Sequence, residues 1–396
     1  MNDLRARYDI AIIGGGLAGS TLAALLARAG REVLLLEKDT FPRDKLCGEF
    51  LSPESRRVLR EIDVEDRIAP GAPQLSAARF SAPSGSMVYA KLPDAALGVS
   101  RLKLDAALFD AAARSGAEAR SGHQVVDLEP STAGVELEVR ADGASTRTRA
   151  DIVVGAYGRR TRLDRIQERS FMDQRHPYVG FKRHHRPSDS TAGRRTDDTL
   201  AGHVEIHGFE GGYCGMSHIE TGEVNVCMLL EQSMLSGIGE ANWDDIATAI
   251  ARENPVLANR LAGLEPSEDG MHAVAQVPFV LKSAFRNRVF FCGDSAGMIA
   301  PLTGDGQAMA LESAMLLSDI LLELPATPGR DEIAAAGKRW SRRWRLRYEP
   351  RLRLGRQLQR LLFRRKPLEI GIRIIDAVPG LADALARWTR SASEHV

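Results

Sequence analysis

The 396-residue chain is poor in aromatics, at 6%, and has only four cysteines. Cys47, Cys214, Cys227 and Cys292 are widely scattered, with none in a C-x-x-C pair or beside metal-ligand histidines. That spacing excludes a disulfide framework and a zinc motif, and it predicts reduced thiols in the cytoplasm. Charge of one sign is also missing. Fifty-three basic residues face 52 acidic ones, for a formal net of +1. No global field draws the chain to nucleic acid, and no recognised nucleic-acid module accompanies its local basic runs. Apolar runs long enough for a membrane are lacking too. The stretch from Ile10 to Ala27 carries no charge, but it places Gly14, Gly15 and Gly16 near its start. A spanning helix does not normally do so, and a signal peptide would need a basic start and a small-residue cleavage site, so neither anchoring nor export is expected. What is present is 44% hydrophobic content. The length corresponds to about two to three domain-equivalents, ample for a large core.

The first strong signal begins at Tyr8. Tyr8 to Ile13 reads as a buried parallel strand. Gly14, Gly16 and Gly19 form G-x-G-x-x-G, and Leu17 to Ala29 reads as a helix that Gly30 ends. Val33 to Leu36 is a second strand, with Glu37 at its end and Lys38 beside it. Gly14 permits a tight turn, Gly16 lets backbone approach a pyrophosphate, and Gly19 lets the helix pack on the strand. The helix N-terminus offers free N–H groups and partial positive charge. Glu37 can accept hydrogen bonds from a ribose 2′-hydroxyl. Gly14, Gly16, Gly19, Glu37 and Lys38 are therefore the expected dinucleotide-binding residues. The pattern alone does not separate FAD from NAD.

A second unit lies most of the chain away. Val289 to Cys292 reads as a strand with Gly293-Asp294 at its C-terminal end, followed by Pro301, Gly304, Gly306 and an Ala/Met/Leu helix from Gln307. Together the two units resemble the superfamily of aromatic hydroxylases, geranylgeranyl reductases and flavin-dependent halogenases. The resemblance implies FAD, with Asp294 on the ribityl chain and Pro301 to Gly306 against the isoalloxazine. It extends to the segment Phe41 to Glu49, which is similar to the cysteine-bearing segment of geranylgeranyl-reductase-like proteins. Cys47 and Gly48 would then lie near the ring, and Arg101 near the FAD phosphates.

The implied fold class is α/β: a Rossmann-like FAD-binding domain, an inserted antiparallel-sheet substrate domain and a C-terminal helical segment. The expected divisions are 1–70, 101–175 and 283–330 for FAD, 71–100 and 176–282 for substrate, and 331–396 for the helical tail. Leu75 to Phe80, His203 to His207 and Glu223 to Leu230 read as strands of the middle domain. Phe181 to His185 and Gly211 to Tyr213 are candidate pocket segments. His184 and His185 alternate faces on a strand, so one is expected inward and the other at the surface. The catalytic candidates are Cys47, Tyr213 and His184. No metal site is expected. Arg186 to Asp198 reads as a polar loop.

Departures from the family pattern bear on function. After the strand Asp151 to Val154, Tyr157 replaces the family's aspartate and Asp164 stands where an arginine is common. Arg159, Arg160, Arg162 and Arg165 could still meet an anionic nicotinamide cofactor. Gly215 replaces the tryptophan of the isoprenoid-reductase aromatic motif. The tryptophans, Trp243, Trp340, Trp344 and Trp388, contain no W-x-W pair, so halogenation is not expected. The tail from Gly337 reads as helical and basic, with Pro350 expected to interrupt its first helix. Its arginines suit water, an anionic carrier on the substrate or, less favoured, a lipid surface. The expected activity is FAD-dependent oxidation–reduction with NAD(P)H on an apolar or aromatic small molecule, monooxygenation ahead of double-bond reduction or dehydrogenation. An electron-transfer or regulatory flavoprotein would need no pocket wall, which the strands between Tyr178 and Leu230 suggest.

Overall fold

The computed structural model describes residues 4–131, 133–188, 200–236, 238, 242–267, 269–301 and 304–385. Most of the polar stretch 186–198, Leu302, Thr303 and Trp388 lie outside these described residues. The chain begins with β1 (Arg7–Ile13), α1 (Leu17–Arg28) and β2 (Val33–Leu36). Next come β3 (Phe50–Leu51), α2 (Pro53–Glu61), α3 (Glu65–Ile68) and the hairpin β4 (Gln74–Ser81) with β5 (Met87–Gly98). Then follow α4 (Arg101–Arg114), β6 (Glu118–Arg120), β7 (Gln124–Ser131), β8 (Gly134–Ala141), β9 (Ala144–Gly155) and α5 (Arg162–Ile166). The central part holds β10 (Tyr178–Pro187), β11 (His203–Phe209), β12 (Gly212–His218), β13 (Val224–Glu231), α6 (Trp243–Glu253), α7 (Pro255–Ala262), β14 (Leu264–Pro266) and β15 (His272–Val274). β16 (Phe285–Arg286), β17 (Val289–Phe291), α8 (Gly306–Leu322), α9 (Arg330–Leu362) and α10 (Arg365–Ala377) complete it.

Two sheets organise these elements. The first runs β16-β17-β9-β1-β2-β6 and is parallel from β17 to β6, with β7 and β8 added beside β9. Its central strands read as continuous aliphatic runs because helices cover both faces. Ile10, Ile12, Val33, Leu35, Val153 and Phe290 are all buried in the same core. The second sheet runs β14-β10-β13-β12-β11-β4-β5-β3, with β15 beside β10. It is antiparallel except at β11 and β4, which pair in parallel. That junction joins two distant stretches of chain, so no hairpin dictates its direction.

Alternation gives the second sheet two distinct faces. Val179, Phe181, Cys214, Met216, Val226 and Met228 pack under Trp243, Ile246 and Ile250 of α6. The intervening residues, including Lys182, His184, Tyr213, Gly215, Asn225 and Cys227, turn the other way. Lys182 and His184 there bond to Asp44 and Glu49, and Asn225 bonds to the carbonyl of Cys47. The sheet thus forms a roof over the segment that follows the first unit.

The tail corrects one expectation. α9 passes through Pro350 without a break. Pro350 and Leu346, whose carbonyl loses its partner, lie on the exposed side of the helix. Water can satisfy that carbonyl, while buried Trp340, Trp344, Tyr348 and Leu352 hold both halves to the core. Part of the tail's basic character also finds a structural use. Arg339, Arg343, Arg347 and Arg351, four residues apart, pair with Glu323, Asp319, Glu312 and Asp305 at 2.6, 3.6, 3.6 and 3.0 Å. The partner numbers fall as the arginine numbers rise, as they must for antiparallel helices. No helix among the described residues is long and apolar enough to cross a membrane.

Candidate functional site

The glycine turn after β1 is set by close approach. Gly14 has φ +108°, and a Cβ there would lie 2.5 Å from the Ala156 carbonyl oxygen. A Cβ on Gly19 would lie 1.9 Å from the Gly14 oxygen. Gly16 is different: a Cβ there would meet only Lys45 Nζ, at 3.7 Å. No side chain caps α1, so its first N–H groups remain for a ligand. Glu37 is buried, and its carboxylate accepts from Gly15 N at 2.9 Å, Asp39 N at 3.1 Å and Arg43 Nη2 at 3.0 Å. Lys38 instead extends outward, paired with Asp39 at 3.3 Å.

Three cations gather beside this turn. Arg43 is buried between Glu37 and Asp105, yet its Nε and Nη1 lack hydrogen-bond partners. Arg101 is bidentate to Asp105, at 2.7 and 2.9 Å. Lys45 has its pKa pushed down to about 8, first by burial and then by the charge of Arg43. The positive charge of Arg43, Arg101 and Lys45 and an uncapped helix N-terminus together fit the diphosphate of a dinucleotide.

The second unit closes the site from the opposite side. Gly293 has φ +58°, its Cβ would lie 2.9 Å from Ala18 Cβ, and its N–H donates to Ser313 Oγ at 2.9 Å. Asp294 is half-buried; burial raises its pKa against the opposing charges of Lys282, Arg159, Arg101 and Lys45. Gly304 N donates to the Pro301 carbonyl at 2.9 Å, and Gly306 opens α8. Gln307, next in α8, donates from Nε2 to Cys47 Sγ at 3.1 Å. Glu49 N also donates to that sulfur at 3.4 Å, and the Arg101 guanidinium lies near it. Gly48 is exposed, with no atom within 4 Å of a Cβ placed on it. Cys47, Gly48 and Gln307 therefore come together beside the Arg43, Arg101 and Lys45 cations.

At this point the comparisons become informative. The chain matches the FAD binding domain family over residues 7–334. It belongs to that family. This FAD-dependent oxidoreductase is 27% identical to a menaquinone reductase of Mycolicibacterium smegmatis, over 80% of this chain and 77% of that one. In fold it is similar to a flavin-dependent brominase, with a TM-score of 0.76 at 20% identity, covering 98% of this chain and 94% of the other. It is also similar to a geranylgeranyl bacteriochlorophyll reductase-like protein of Thermoplasma acidophilum, with a TM-score of 0.74 at 19% identity, covering 98% and 92%. The superfamily expected from the motifs is thus the right one.

Above Cys47 the oxidoreductase carries a buried charge cluster that the sequence did not announce. Lys182 is fully buried, and its Nζ donates to Asp44 at 2.5 and 2.7 Å and to Glu49 at 2.6 Å. Glu49 also holds His184 Nε2, at 2.8 Å, and the N–H of Arg101, at 2.7 Å. Burial lowers the His184 pKa, but the bond to Glu49 and its charge outweigh this and raise it. Asp44, Glu49 and His184 lie close enough to ligate a metal, but the Lys182 ammonium already fills the cation's place. His184 is therefore committed to Glu49 rather than free in a pocket. Its neighbour corrects a second expectation: His185 is buried as well, stacked on Trp243 at 5.1 Å, because α6 covers the sheet's outer face. Burial there pushes its pKa down to about 4.

Tyr213 lies on the roof's inner face, in an apolar pocket with Phe80, Ile206, Gly208, Phe363 and Leu368. Burial holds its phenol well above the usual range, so it stays protonated and serves as wall rather than base. Tyr157, in the aspartate's place, bonds to Asp164 at 3.4 Å. Asp164 is fully buried, holding Arg169 at 2.7 Å and Thr161 N at 2.7 Å. This corner is an internal anchor.

Proposed function

We propose that the protein is an NAD(P)H-dependent flavoenzyme that reduces a polarised carbon–carbon double bond in an apolar or aromatic small molecule. The observation that carries this is the thiol of Cys47, held by the N–H donors of Gln307 and Glu49 beside the Arg101 guanidinium. FAD would be held by the glycine turn, Glu37, Arg43, Lys45, Arg101 and Asp294, and would supply two-electron redox chemistry. Reduction of a double bond requires a proton at one carbon after the other has received hydride. Cys47 Sγ is placed to give that proton, and the donors around it accommodate the charge left on sulfur. The Lys182–Glu49 pair fixes the loop carrying Cys47. Tyr178, Tyr213, Leu229, Phe279 and Phe363 form an apolar wall that binds the substrate body and excludes water.

The same dry lining suits monooxygenation, the second reading, because oxygen transfer also needs water kept out. One experiment separates the two. The yellow protein is reduced anaerobically with NADPH or NADH, then exposed to air or to an unsaturated acceptor in stopped flow. Reoxidation by the acceptor alone, slowed strongly by Cys47→Ala, supports the reductase. Reoxidation by air coupled to oxygen insertion into an aromatic substrate, indifferent to Cys47→Ser, supports the monooxygenase and sinks the first reading.

A further inference from the structure

We propose that the outward face of α10 docks on an anionic lipid bilayer. α10 is apolar on two opposite sides. Leu368 and Ile372 pack inward on Ala82 and Val88 of the roof sheet. Steps of about 100° per residue place Lys366, Ile370, Arg373, Ile374 and Ala377 together on the far side. Ile370 is 57% exposed and Ile374 53%, with Val378 at 47% just beyond the helix. Lys366 and Arg373 are exposed and form no ion pair with any described residue. By contrast, the acid on the flank, Glu369, is engaged by Ser84 N and Oγ at 2.7 and 2.6 Å. Asp376 projects well away from the Ile370 direction.

Two isoleucines flanked by two unneutralised cations match the interfacial plane of an anionic bilayer, where apolar side chains enter the acyl boundary and cations meet headgroups. The docking is independent of which reaction the flavin performs.

The test is co-sedimentation of the full FAD-loaded chain with vesicles of phosphatidylcholine alone, or of phosphatidylcholine mixed with phosphatidylglycerol. The wild type is expected to bind the mixed vesicles, and to release as salt is raised. Lys366→Glu with Arg373→Glu, and separately Ile370→Ser with Ile374→Ser, should each weaken that binding by about tenfold or more while leaving bound FAD unchanged. The wild-type lipid and salt dependence stands even if a variant fails to fold. Equal binding to both vesicle types, no binding to either, or variants that bind like wild type would overturn the proposal. So would a dimer in solution that the isoleucine changes dissociate, since that would assign the face to a second copy of the chain.

Discussion

Gly14 and Gly19 of the first unit differ from Gly215 of the roof sheet in what surrounds them. At Gly14 and Gly19 the backbone leaves no room for another atom, and the conflict is with main chain that cannot move aside. At Gly215 on the roof, a Cβ would find nothing closer than the Cys227 oxygen, at 3.7 Å. At Gly14 and Gly19 local steric necessity writes the sequence, whereas at Gly215 it does not. Gly19→Ala is therefore expected to have the largest effect of any single change. Its Cβ would overlap the Gly14 carbonyl at 1.9 Å, so the turn must open and FAD must be lost. Absorbance of the purified protein checks this: a yellow Gly19→Ala protein with wild-type FAD content would falsify the close-packing account.

The buried cluster on the roof comes next. Lys182 and Glu49 are both fully buried, so removing Lys182 takes the shared ammonium from two carboxylates, Asp44 and Glu49, and leaves Glu49 only His184 and the Arg101 N–H. Lys182→Met is expected to cost about 3–5 kcal/mol in denaturant unfolding. A loss under roughly 1 kcal/mol would place the pair among screened surface ion pairs. Smaller again is Arg351→Met, which removes one partner of buried Asp305 just before α8. FAD affinity should fall by about tenfold, equivalent to roughly 1.4 kcal/mol, in a fluorescence titration. Arg353→Met is the contrast: its partner Glu349 lies in the same helix and Arg353 is 64% exposed, so little change is expected.

Lys45 sharpens the comparison through pH. Its pKa without cofactor is lowered to about 8 from 10.5. Between those values the folded cofactor-free chain holds fewer protons than the unfolded one, so its stability rises with pH across that window. A diphosphate favours the ammonium form, so binding takes up a proton once Lys45 has lost its own. FAD affinity should therefore decline as pH rises above about 8, and Lys45→Gln should flatten that decline. Titration calorimetry in buffers of different ionisation enthalpy reads the proton uptake directly. A pH-independent affinity would remove Lys45 from the cradle.

These effects track what could be read in the sequence. The first unit was legible because strand, glycines, helix and acid lie within one local stretch whose sterics are fixed by sequence spacing. The strand, turn and helix around Gly293, Asp294 and Gly306 were legible for the same reason. Arg43, Lys45 and Asp105 were not, although Phe41 to Glu49 was singled out for Cys47. Their role depends on α4 placing Asp105 against Arg43, a contact between residues far apart in sequence. Lys182 was hidden by its own type, since a lysine on a strand reads as solvent-facing until Asp44 and Glu49 are seen around it. Pro350 misled in the opposite direction: the local rule for proline was right about the lost bond, but the buried Trp344 and Tyr348 face outweighed it.

The smallest expected effect is the one that most directly separates the two kinds of glycine. Gly215→Ala adds one methyl group on the inner face, at ordinary contact distance from the Cys227 oxygen and from the Tyr213 ring at 4.0 Å. Its φ is not in the left-handed region, so the backbone accepts alanine without strain. Stability should change by no more than about 0.5 kcal/mol, and the loss of glycine's unfolded-state freedom pulls toward a gain. Gly215→Trp is the informative partner. If this position opens the substrate space, the larger ring should raise KM for bulky substrates while FAD content and kcat for small ones hold. Unchanged KM across substrate sizes would mean that the roof glycine faces no substrate, and its space would need another explanation.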